Sequence, residues 1–116
     1  FSDPNCPYCK RFEKDLAKVD DVTIYTFLYP ILSQDSHNKS KAVWCSADKA
    51  KAWSELMLNG TIPAAASCDT PVEKTVELGR KFRVTGTPTI FFANGERVPG
   101  AISTAQLEKL LVQNAK

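Results

Sequence analysis

Two cysteines three residues apart at the start of a predicted helix constrain this chain more than any other feature. Cys6-Pro7-Tyr8-Cys9 opens a stretch in which Cys9, Phe12, Leu16 and Val19 recur at helical spacing, so a helix is expected from about Cys6 to Val19. Cysteines placed this way can close a small disulfide ring and reopen it. The unpaired N–H groups and the dipole at a helix start favour an anion, so Cys6 is expected to be partly thiolate near neutral pH. A thiolate is the species that attacks a disulfide. Cys9 falls on the buried stripe and Cys6 at the exposed end, which makes Cys6 the expected nucleophile and Cys9 the resolving thiol.

Composition narrows the alternatives. The 116 residues suit one domain, 1–116, and 43% hydrophobic content is enough for a core. A net charge of +2 is too small to imply nucleic acid or a membrane surface, so no nucleic-acid partner is expected. Lys39, Lys41, Lys49 and Lys51 read as a solvated helix face. Four cysteines leave disulfides and zinc both open. Zinc would need Cys6, Cys9, Cys45 and Cys68 together, or three of them with His37. Structural zinc sites bring ligands in two close pairs, whereas Cys45 and Cys68 lie far apart, so neither metal nor cofactor is expected.

Further along, Val22 to Tyr29 is β-branched and aromatic with apolar side chains on both faces, the pattern of a central strand ended by Pro30. Residues from Asp35 to about Asn59 are helical in character, breaking near Ser46 to Asp48 and ending at Asn59-Gly60. Trp44 and Trp53 read as core side chains and His37 as a surface helix residue. A loop then carries Pro63 and Cys68. Thr70-Pro71-Val72-Glu73 predicts a capped helix start, with Thr70 as cap, and the helix should reach about Phe82. Thr89 to Phe92 reads as a strand, Asn94-Gly95 as a hairpin turn and Arg97 to Pro99 as the return. Ser103-Thr104-Ala105-Gln106 is a second capping box, stapled by Ile102 and Leu107, before a final helix.

This order resembles an α/β thioredoxin-like fold with a helical insert at about 35–69 and its first central strand largely missing. Such a fold feeds its C-x-x-C helix from a central strand, of which only Phe1 and Ser2 would remain. The chain is therefore expected to be a piece of a longer protein. More specifically, it resembles the catalytic domain of the DsbC/DsbG family of bacterial periplasmic disulfide isomerases. The anchors are residues 1–10, Lys41-Ala42-Val43-Trp44-Cys45, Ala66-Ser67-Cys68-Asp69, Val84-Thr85-Gly86-Thr87-Pro88, and Asn94-Gly95 with Val98-Pro99-Gly100. The Cys45 and Cys68 pair resembles the DsbC branch, and the Pro7-Tyr8 dipeptide the DsbG branch.

The resemblance carries expectations of its own. Thr87-Pro88 would be cis and lie beside Cys6, where the Thr87 backbone could pair with an extended substrate strand. The Pro88 ring would keep metals off the thiols. Cys45 and Cys68 would form a second, structural disulfide; on the chain-entropy model a loop of that size stabilises by about 3 kcal/mol. Misfolded disulfide-containing proteins would be the substrates, and a membrane reductase of the DsbD type would recycle the site. The full-length parent would be a periplasmic homodimer joined through an N-terminal domain. Three other readings remain at this stage. They are a general thiol oxidase or thioredoxin- or glutaredoxin-type reductase, a non-enzymatic chaperone-like peptide-binding domain, and a zinc module. The insert with its own cysteine pair argues against the first.

Overall fold

The computed structural model describes residues 1–115. Five helices and one hairpin follow in the order α1 (Pro7–Leu16), α2 (Gln34–Trp44), α3 (Lys49–Asn59), α4 (Val72–Lys81), β1 (Thr89–Phe91), β2 (Arg97–Pro99) and α5 (Thr104–Gln113). Most ends are set by local chemistry. Ser33, Asp48 and Ser103 cap α2, α3 and α5 by accepting the N–H of Ser36, Lys51 and Gln106. Gly60 closes α3 at φ 71°, a left-handed conformation that favours glycine.

The α4 start departs from the sequence reading. Pro71, not Thr70, stands at the N-cap, and no side chain caps the helix. The helix begins one residue too late for Thr70 to reach its N–H groups; instead Thr75 Oγ1 donates to the Pro71 carbonyl at 2.9 Å.

β1 and β2 pair antiparallel, Ile90 opposite Val98. Phe92 N–H donates to the Glu96 carbonyl, and Gly95 takes φ 89° in the turn between them. Phe1 joins this hairpin: its amino group donates to the Thr89 carbonyl at 2.9 Å, and Thr89 N–H returns a bond to Phe1 at 3.1 Å. Ser2 faces the other way, donating to Phe27 and accepting from Tyr29. Residues 1–2 thus lie between the hairpin and the segment that ends at Tyr29.

That segment is not the ladder strand its composition suggests. Only Leu28 pairs, in a single parallel bridge to Ser2. Residues 22–26 make no backbone–backbone hydrogen bond among the described residues, and Ile24, Tyr25 and Phe27 are exposed. A strand apolar on both faces needs a neighbour of its own length, and among the described residues only Ser2 bridges to this one. Between this segment and β1 runs an apolar cleft of about 770 Å³, bordered by Tyr25, Phe27, Phe82 and Phe91.

The core has two parts, and α1 belongs to both. Cys6 and Cys9 pack with Leu28, Val43, Trp53, Leu56, Met57 and Val72. Phe12 packs with Phe92 and Leu107, joined by Leu16, Ile102 and Leu110. Both tryptophans serve packing: Trp53 is buried, while Trp44 lies at the cluster edge with Lys49 Nζ 5.0 Å from its ring. On the far side, Tyr29 lies directly against α4, where a Cβ on Gly79 would collide with its ring, and its hydroxyl donates to the Val84 carbonyl at 2.7 Å.

Candidate active site

Cys6 occupies the N-cap of α1, and Pro7 stands in the first turn, where a missing N–H costs nothing. The usual cap is a serine, threonine or aspartate oxygen. Here the Cys6 sulfur takes that place, accepting the Cys9 N–H at 3.3 Å. Residues 3–5 are held tightly just before it. The Asp3 carboxylate, fully buried, accepts the Asn5 N–H at 2.8 Å and the Leu32 N–H at 3.0 Å. One side chain therefore fastens the approach to the cysteine loop onto the chain after Pro30.

The Thr87-Pro88 peptide is cis, and the Cys6 thiol donates to the Thr87 carbonyl at 3.3 Å. Cys6 is consequently 5% exposed, not at an open helix end as the spacing alone suggests. The Thr87 loop covers what a free helix terminus would leave bare. Cys9, one turn in, is 0% exposed. Burial pushes its thiol up to about 11, offset in part by the hydroxyls of Ser2 and Thr87 and by the Asp3 backbone. Both thiols are free. Tyr8 is 59% exposed, with the Arg11 guanidinium 5.3 Å from its ring centre.

The second cysteine pair is a disulfide. Cys45 and Cys68 are bonded with Cα atoms 5.8 Å apart, linking the end of α2 to the loop before α4. That bond leaves two free thiols, too few for the four-cysteine zinc site considered from sequence.

Sequence reasoning missed a polar cluster beside Cys6. Lys39 bonds the Asn5 side chain at 2.9 Å and the Asp35 carboxylate at 2.9 Å, while the Asn5 amide donates to Asp35 and Ser36. Lys39 had read as one charge of a solvated face; its tie to Asn5 spans 34 residues and has no local signature. Ser2 was missed too, although it stands in the quoted N-terminal run. His37 is half-buried, its Nδ1 lacking a partner among the described residues. Further along α1, the Glu13 carboxylate accepts the Trp53 indole N–H at 3.2 Å, and burial raises its pKa above the ordinary value.

A helix N-terminal thiol pair facing a cis-proline loop, with residues 1–2 paired on both edges, can be compared with known proteins. The thioredoxin-like domain model matches residues 1–115. The chain belongs to the thioredoxin-like domain family. A crystal structure of a disulfide interchange protein from Neisseria gonorrhoeae superposes with a TM-score of 0.96 at 43% identity, covering 100% of this chain and 85% of that one. A probable thiol:disulfide interchange protein DsbC of Bordetella parapertussis is 50% identical over 111 residues, 96% of this chain and 40% of the relative. The thiol:disulfide interchange protein DsbC of Escherichia coli is 31% identical over 120 residues, all of this chain and 50% of the relative. The chain thus spans half or less of these two relatives.

Proposed function

We propose that this domain is the thiol–disulfide exchange centre of a periplasmic protein that isomerises or reduces non-native disulfides in secreted proteins. The observation that carries this reading is the Cys6 sulfur, held between the Cys9 N–H and the Thr87 carbonyl, each at 3.3 Å. The N–H donor is placed to hold negative charge on sulfur, and the carbonyl lies where a strand of substrate backbone would run. The domain boundary, 1–116, and the roles of single residues belong to the same proposal.

In this mechanism Cys6, as thiolate, attacks one sulfur of a substrate disulfide. A Cys6–substrate bond forms and the other substrate sulfur leaves with the electron pair. A substrate thiol can then displace Cys6, which completes isomerisation. Alternatively Cys9 attacks Cys6, and the substrate leaves reduced with Cys6 and Cys9 oxidised. A membrane reductase of the DsbD type would return them to thiols. Thr87 and Pro88 bind the substrate strand, Pro7 and Tyr8 shape the rim, and Cys45–Cys68 stabilises the insert. The disulfide interchange names of the relatives support this reading over a peptide-binding domain with incidental thiols.

Isomerisation also requires holding a misfolded chain while its thiols exchange. The full-length parent is proposed to do this as a homodimer, with two such domains facing one cleft. The test is refolding of a scrambled multi-disulfide protein. The domain alone should reduce small disulfides yet isomerise poorly, and fusion to a dimerising segment should restore isomerisation. Equal refolding by the domain and a dimeric parent would remove the cleft from the proposal.

A further inference from the structure

Resolution asks more of Cys9 than of any other side chain here. Its thiol is sealed from solvent, and with a pKa of about 11 only roughly one in ten thousand molecules carries the thiolate at pH 7. Charge that appears on a buried sulfur must meet donors already in place, as in any preorganised anion site.

Ser2 is such a donor. It is 7% exposed, and its Oγ is a buried side-chain oxygen without a hydrogen-bond partner among the described residues. Leaving a buried hydroxyl unpaired costs about 1–3 kcal/mol, so the position calls for an explanation. Its backbone cannot swing away, because the N–H donates to Phe27 at 3.0 Å and the carbonyl accepts from Tyr29 at 2.8 Å. Ser2 is bridged to Leu28, which shares a core cluster with Cys9, so the unpartnered hydroxyl stands in the Cys9 neighbourhood, and among the groups that favour ionised Cys9 it comes first. The Thr87 hydroxyl is a second, lesser donor toward ionised Cys9. The Asp3 N–H donates to no backbone carbonyl among the described residues and completes the set.

We propose that the Ser2 hydroxyl is the donor that receives the Cys9 thiolate during resolution, and that it thereby sets the lifetime of the mixed disulfide. The step is balanced as follows. Cys9 gives its proton to a solvent base, and its sulfur attacks Cys6 Sγ. The Cys6–Cys9 bond forms, the Cys6–substrate bond breaks, and the electron pair leaves on the substrate sulfur, which takes up a proton. A weaker donor at position 2 slows this branch alone, leaving more time for a substrate thiol to complete isomerisation. Ser2 would therefore tune the division between reduction and isomerisation. The inference rests on Cys9 being the resolving thiol.

The experiment titrates Cys9 in the Cys6→Ala protein, where it is the one free thiol, by thiolate absorbance against pH. The other groups that act on Cys9 are the same in every variant and cancel from the comparison. Ser2→Thr and Ser2→Val match in shape and differ in the hydroxyl, so any cavity left by alanine does not enter. The Cys9 midpoint should lie about one unit higher with valine than with threonine or serine, as expected for loss of a hydrogen bond to a charged group. With both cysteines present, resolution of a preformed mixed disulfide with a peptide thiol should slow about threefold in Ser2→Val, the roughly tenfold loss of thiolate being partly offset by its greater nucleophilicity. Attack by Cys6 on a small disulfide should be unchanged. Equal Cys9 midpoints in folded Ser2→Val and Ser2→Thr overturn the proposal, as does equal slowing of Cys6 attack. Capture of substrate by Cys9 in the Cys6→Ala protein would instead sink the assignment of Cys9, a result the titration does not share.

Discussion

The two cysteine pairs occupy opposite ends of helices. Cys6 is the N-cap of α1, where its sulfur meets a backbone N–H at 3.3 Å; Cys45 is the C-cap of α2, where the unpaired groups nearby are carbonyls. Cys9 lies one turn from Cys6 in the same helix, whereas Cys68 comes from an irregular loop 23 residues after Cys45. The side-chain chemistry is the same in both pairs. Helix polarity and chain separation make one suited to anionic sulfur and exchange, and the other a staple across a long loop. The stability terms divide the same way. α1 carries two acids whose ionisation opposes folding, the buried Cys9 and the half-buried Glu13, while the insert carries the cross-link.

The largest expected effect is on turnover. Cys6→Ala should abolish reduction of a small disulfide, and Cys9→Ala should still attack but accumulate the mixed disulfide. Mass spectrometry of the trapped species checks both. Capture by Cys45 or Cys68 instead would end the contrast between the pairs.

Stability comes next. Replacing Cys45 and Cys68 together by alanine should cost about 3 kcal/mol in denaturant unfolding. Alkylation of Cys6 should proceed at the wild-type rate, since the pairs sit on different elements. A parallel fall in Cys6 reactivity would show that the staple also shapes the site.

A redox titration sharpens the contrast further. In graded thiol buffers Cys6–Cys9 should equilibrate while Cys45–Cys68 stays oxidised, as structural disulfides with potentials below about −300 mV do. Quantitative labelling of each pair reads this directly. Overlapping transitions would mean that helix position does not separate their chemistry.

The smallest effect concerns Glu13. Burial raises its carboxyl pKa, opposed by the Trp53 hydrogen bond and the Phe1 ammonium. The folded state therefore binds the proton more tightly than the unfolded one. Stability from this group is full below the unfolded value of about 4.3 and is lost as pH rises through the higher folded value. Glu13→Gln should remove that decline, seen as a flatter stability profile between mildly acidic and neutral pH. A steeper profile would assign the opposite sign to Glu13.

Legibility in the sequence followed the range of the interaction. The stripe of Cys9, Phe12 and Leu16, the break before Asp48, Gly60 after α3 and the Ser103 cap are encoded within one or two turns, and each stands where the spacing put it. The hairpin at Asn94-Gly95 belongs with them. The cover over Cys6 was legible only through the family resemblance, because Thr87 reaches it from 81 residues away. The link from Lys39 to Asn5 and the lone hydroxyl of Ser2 were not legible. Residues 22–27 misled for a related reason. β composition states that a segment will accept partners, and pairing depends on what lies alongside.

The cleft along those residues has a consequence for the domain in concentrated solution. In the 116-residue chain taken alone, open backbone groups beside exposed Ile24, Tyr25 and Phe27 form a template for a further strand. Association of two such chains through this edge is bimolecular, so dilution protects the isolated domain. A lysine in place of Tyr25, which is 80% exposed, would act as a gatekeeper on that edge while leaving the thiols on α1 untouched.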